Sequence, residues 1–133
     1  MGVREAVDAN VKALKKLQGE HDIMVMVISS LNRMSYLNPM TFESFKESGG
    51  IEYTADVIWG LQFQVLNSPK FGSSQKEQRE SIAKAKLRKL KQIELACLKN
   101  RYGRSSYKCS FSYYAEYDWF VPELDEEDVF FER

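Results

Sequence analysis

Apolar residues at Val7, Val11 and Leu14 recur with a 3.6-residue period through residues 4–19, with lysines on the other side. That spacing predicts an amphipathic helix, and Gly19 is placed to close it. DIMVMVISS, residues 22–30, follows as a nearly continuous apolar run, the pattern of a strand covered on both faces. ADVIWGLQF, residues 55–63, is a second run of this kind. A helix followed by such strands predicts an α/β layer fold with parallel strands. The connection between the two runs is polar, contains Pro39 and is long for a link inside a domain, which is where function or disorder concentrates.

Residues 67–78, NSPKFGSSQKEQ, break the pattern with Pro, Gly and Ser. RESIAKAKLRKLKQ then returns to helical spacing, with Ala83, Leu87 and Leu90 on one face and Glu80 placed to pair with Lys84. IELACL at 93–98 and SYKCSFSYY at 106–114 read as strands joined through KNRYGRS, and the Gly103 turn predicts an antiparallel hairpin. Aromatic residues dominate from there to Phe120. The end of the chain, ELDEEDVFFER, is acidic and carries Phe130 and Phe131, which suit docking on a neighbour. No internal repeat is present.

With 133 residues, a single domain of moderate core size is the expectation. No apolar run approaches the roughly 18 residues that span a bilayer, and the N-terminus lacks a signal-peptide pattern, so a cytoplasmic chain without membrane contact is expected. Cys97 and Cys109 read as buried thiols; with His21 unaccompanied, no metal site is expected. The zero net charge hides segregation. Residues 70–108 hold twelve Lys and Arg against three Glu, while residues 109–133 hold eight acids against Arg133. Two readings stand: an electrostatic footprint on one part of the surface, or two blocks that neutralise each other.

Three polar stretches carry candidate chemistry. SSLNR, residues 29–33, sits at the carboxyl end of the first predicted strand, where open α/β sheets bind ligands; local backbone capping is the structural alternative. KESGG, residues 46–50, sets two glycines beside a cation. Successive amides there can form a nest for a phosphate oxygen, and the missing Cβ atoms admit a nucleic-acid backbone; the alternative is a flexible turn. KNRYGR, residues 99–104, puts Lys99 and Arg101 at the same strand parity before a turn, a pair able to clamp a terminal phosphate or to stand exposed in water.

Taken in order, the three stretches resemble the second half of the RecA-like motor domain of DnaB-type bacterial replicative DNA helicases. ISSLNR, residues 28–33, is similar to the family's Ser-Gln-Leu-Asn/Ser-Arg motif, and SFKESGGIEYTAD, residues 44–56, to its Asp-Leu-Arg-Glu-Ser-Gly-Ser-Ile-Glu motif ending in Ala-Asp. Lys99, Arg101 and Gly103 match its Lys-x-Arg-x-Gly hairpin. The likeness covers residues 1–122, with 67–92 longer and more basic than the family and 123–133 left as an acidic tail. It implies a partial RecA-like, P-loop NTPase-type domain with parallel strands covered by helices and a C-terminal hairpin. By the same resemblance, Lys46, Glu47 and Gly49 contact single-stranded DNA. Arg101 acts as a trans finger on a neighbouring subunit's nucleotide with Lys99 as its companion, and Ser30 and Arg33 stand at the nucleotide-sensing motif. The implied assembly is a hexamer using ATP and Mg.

The sequence departs from that pattern in places. Ser30 replaces the family's Gln with a side chain too short to span the same gap, and Lys46 replaces an Arg, keeping the charge and losing the planar fork. No G-x-x-x-x-G-K-[ST] occurs, and no apolar strand ends in a magnesium-binding Asp. The resemblance places those elements in a preceding half, so this chain is expected to bind no cofactor and hydrolyse no ATP alone. It reads as a piece of a longer helicase, or as a non-catalytic module of that origin that binds nucleic acid or a protein. A recombination-type ATPase half is a third reading, disfavoured by the spacing from glycine loop to basic hairpin.

Overall fold

The computed structural model describes residues 2–31, 36–41, 44–45 and 49–124. Four strands form one sheet in chain order: β1 (Val57–Phe63), β2 (Leu90–Asn100), β3 (Lys108–Tyr114) and β4 (Trp119–Glu123). Each neighbouring pair is antiparallel. Three helices accompany them, α1 (Val3–His21), α2 (Gly49–Thr54) and α3 (Gln75–Leu87), with short 3-10 turns at Gln64–Asn67 and Pro69–Phe71. No helix among the described residues is long and apolar enough to cross a membrane.

The antiparallel sheet overturns the expected parallel, RecA-like layer. A parallel strand buried on both faces needs a strand on each edge and helices above and below. The apolar run after α1 has neither: Met24 is 90 % and Ile28 95 % exposed, and the only β-type contact near it is a single bridge from Leu31 to Phe45. β1 occupies its predicted place, but its residues alternate between exposed and buried, the signature of a strand with one covered face. It lies at the edge of the sheet and pairs only with β2.

The hairpin reading holds. β2 and β3 pair from Leu90 with Tyr114 to Ala96 with Lys108, and the chain turns at residues 101–103. β4 adds a strand where only an aromatic run was evident. Tyr113 stacks on Phe120 at 4.3 Å and Tyr114 lies against Trp119 at 5.4 Å, the cross-strand pairing that stabilises such ladders. Pro122 is tolerated because β4 is the other edge.

α1 runs to His21 and ends in a left-handed Asp22, three residues beyond the expected Gly19 stop. α3 starts four residues earlier than its apolar period suggests, because Ser74 and Glu77 form a reciprocal capping box; backbone donation from Ser74 and Ser73 holds the Glu77 carboxyl below its ordinary value. It stops at Leu87, and Leu90 joins β2 instead.

The core lies on β1 and β2. Ile58, Ile93, Ala96 and Cys97 are buried there, joined by Phe45 and Phe71 from the loops. Cys109, read from sequence as a buried thiol, is exposed. A polar row, Gln62, Glu94, Ser110 and Glu123, crosses all four strands in register. Within it the buried Glu94 carboxylate accepts from Gln62 Nε2 at 2.5 Å and from Asn67 Nδ2, and faces Lys108 Nζ at 3.5 Å, so its burial is compensated. Gln62 in turn accepts from the Met40 amide at 2.7 Å, which seats the 36–41 loop on β1. Gly60 makes that contact possible: a Cβ there would stand 2.1 Å from Met40 Sδ.

Candidate functional site

Lys99 and Arg101 sit where β2 runs out, and β1 fixes their position. The register of the two strands shifts between Ile58 and Trp59, a bulge that re-aims the end of β2, and Ile58 pairs with Lys99. The Arg101 amide then donates to the Asp56 carbonyl at 2.9 Å, tying the first turn residue to the residue before β1. The predicted shared direction of the two cations is realised, because both reach the same helix end.

That helix end is the C-terminus of α2. Its last carbonyls have no partner within the helix, and cations suit them. Lys99 Nζ donates to Glu52 O at 2.8 Å, and Arg101 Nη2 donates to Tyr53 O at 3.2 Å. Arg101 Nη1 also pairs with Asp56 Oδ1 at 2.5 Å, while Lys15 of α1 takes the other carboxylate oxygen at 2.7 Å. Three cations thus surround one carboxylate, a local excess of two positive charges. The hydrogen bond from Lys15 is the largest influence holding the Asp56 carboxyl below its ordinary value; partial desolvation opposes it, and the charges of Lys15, Arg101 and Lys99 add to it. Arg101 and Lys15 remain partly exposed, and the guanidinium has five N–H donors, of which these bonds occupy two.

The other end of α2 carries the glycines. Gly49 is its first residue, and the Gly50 amide donates to Asp8 Oδ1 at 2.8 Å. An anion does approach the backbone at the glycine pair, but it is the chain's own carboxylate. A Cβ on Gly50 would stand 2.3 Å from that oxygen, so the approach requires glycine. Asp8 and Lys15, two turns apart on one face of α1, therefore place an acid at the start of α2 and a base beyond its end. Each complements the helix dipole.

Lys46, Glu47 and Arg33 lie outside the described residues. Ser30 is exposed, and its carbonyl accepts from Ser29 Oγ at 3.4 Å. The structure thus joins Lys99 with Arg101 and sets Gly49 at the opposite end of the same short helix. Asp8, Lys15 and Asp56 carry no role in the sequence reading. The signal for the first two was an acid and a base seven residues apart on a predicted helix, and for Asp56 its place immediately before a strand that faces two cations. No protein-family model, curated protein or solved structure matches the chain.

Proposed function

We propose that this chain serves a replicative-type DNA helicase motor by presenting Lys99 and Arg101 to the terminal phosphate of a nucleotide held by a neighbouring subunit. The observation that supports this reading is the convergence of Lys15, Lys99 and Arg101 on Asp56, with one acid set against three bases. A phosphate arriving at that surface meets a planar fork and point charges already ordered by α2 and β2, so little side-chain entropy remains to be lost. Positioned cations of this kind stabilise the charge that develops during phosphoryl transfer. The nucleotide, its Mg and the hydrolytic groups belong to another segment. In the same reading, residues 46–49 contact the backbone of single-stranded DNA independently of its sequence.

A second reading, a non-catalytic module that binds nucleic acid, draws on the cations along α3, where Lys76, Arg79, Lys84 and Lys86 are exposed. One experiment separates the two. The chain is mixed with a motor half that carries a phosphate-binding loop, and DNA-stimulated ATP turnover is followed. Arg101→Ala is expected to abolish the stimulated turnover while leaving single-stranded DNA affinity nearly intact. Turnover that survives in Arg101→Ala overturns the finger assignment and favours the binding module.

A further inference from the structure

At the far end of β1 from Asp56, the free edge of the sheet opens into a groove of about 1020 Å³. Its floor and walls are apolar, built from Leu61 and Phe63 of β1, Leu66, Ile82 of α3 and Ile93 of β2. Arg79 and Lys86 of α3 also line it, and no ion pair among the described residues engages either. Leu61 is 53 % exposed, an apolar residue on an unpaired strand edge beside two unopposed cations. Such an edge is ordinarily covered.

The chain holds a segment with the matching chemistry. Residues 125–128 are Asp-Glu-Glu-Asp, and Val129, Phe130 and Phe131 follow directly. The last described strand ends beside the groove: Gln64, the residue after β1, donates through Nε2 to the Ile93 carbonyl at 3.2 Å and to Glu123 of β4 at 3.3 Å. Along the polar row, Glu123 is three strands from Gln62, about 14 Å at the usual strand spacing. Nine residues beyond Leu124 reach up to about 30 Å when extended, and Phe130 lies roughly 20 Å along that path.

We infer that the acidic C-terminal segment, residues 125–133, docks in cis into this groove, its carboxylates on Arg79 and Lys86 and its Phe130 and Phe131 rings against Leu61, Ile82 and Ile93. Reach, sign of charge and the order of acidic then aromatic residues all agree with that seating. The segment then shields the open edge of β1 and neutralises part of the basic face of α3, which gives the two oppositely charged blocks of the sequence one shared location. The docking is independent of the phosphate role, since the groove and Asp56 lie at opposite ends of β1, about 20 Å apart.

The test uses the full chain in solution. Methyl-labelled protein is expected to show nuclear Overhauser contacts from the Phe130 and Phe131 rings to the Ile82 and Ile93 methyls, unchanged on dilution. Isotope-filtered spectra of labelled and unlabelled copies mixed together are expected to lack them. F130A/F131A is expected to erase the contacts and to raise amide exchange at residues 61–63 roughly tenfold, as two aromatic anchors are lost. R79E/K86E leaves the rings in place and is expected to weaken the same contacts, with the loss greatest at low salt. Absence of ring-to-methyl contacts in the parent chain overturns the inference, as do contacts found only between copies, which assign the groove to a second molecule.

Discussion

Replacing Asp56 with Asn separates the two duties of the cation cluster, because it is expected to weaken the fold and strengthen phosphate binding at once. The carboxylate pairs with Lys15 at 2.7 Å and with Arg101 at 2.5 Å, and both cations are more than a third exposed. Solvent screening limits such pairs to roughly 0.5–1 kcal/mol each, so Asp56→Asn should cost about 1–2 kcal/mol of stability at low salt. With a urea dependence of about 1.5 kcal/mol per molar, the unfolding midpoint falls by roughly 1 M. For an incoming phosphate the sign reverses. Removing one negative charge about 6 Å from a phosphate is worth about 0.7 kcal/mol per phosphate charge even in a water-like dielectric. A doubly charged terminal phosphate therefore gains about 1.4 kcal/mol, close to tenfold in affinity. Urea melts followed by circular dichroism and a triphosphate titration on the same samples read both quantities. A variant that stays folded and binds triphosphate no more tightly than the parent refutes the argument, because Asp56 would then be a structural partner with no phosphate near it.

The acid limb of stability follows from the same residue. The Asp56 carboxyl in the folded chain lies below its ordinary value of 3.8, so its contribution is complete above that pH and is lost as pH falls through the folded value. The stability gap between the parent and Asp56→Asn should close on acidification below pH 3.8 and stay open near neutrality; a gap constant with pH contradicts the pairing. Gly60→Ala brings a methyl group to 2.1 Å from Met40 Sδ and should cost about 1–3 kcal/mol in a thermal or chemical melt, with Met40→Ala recovering part of it. Lys46→Ala should weaken single-stranded DNA binding equally for all sequences, its log affinity against log salt becoming shallower by about 0.7; an unchanged slope removes Lys46 from the phosphate path.

Local features of the chain were readable where local chemistry decides them. The periodic apolar residues of α1, the extended runs at β1 and β2, and Gly103 between two β-rich segments each predicted what formed. The direction of β1 was not readable, since an apolar run does not encode whether its partner runs parallel or antiparallel. Residues 23–28 failed for the converse reason: their composition asks for burial on both faces, and no described segment supplies the neighbours. α2 was hidden because two glycines read as a break, whereas Asp8 offers an acceptor to the Gly50 amide and cations stabilise the helix's far end. At the candidate site, the parity of Lys99 and Arg101 was legible. Their convergence with Lys15 was not, because residues 41 positions apart meet at Asp56 only through the tertiary packing of α1 on α2.

The phosphorus resonances of ATP give the most direct measurement. On titration with the full chain at low salt, the γ-phosphate signal should shift more than the α-phosphate signal, and K99A/R101A should remove that difference while leaving the circular dichroism spectrum intact. Equal shifts at all three phosphates, or a γ-selective shift that persists in the double variant, would contradict the proposal that this end of β2 delivers positive charge to a terminal phosphate.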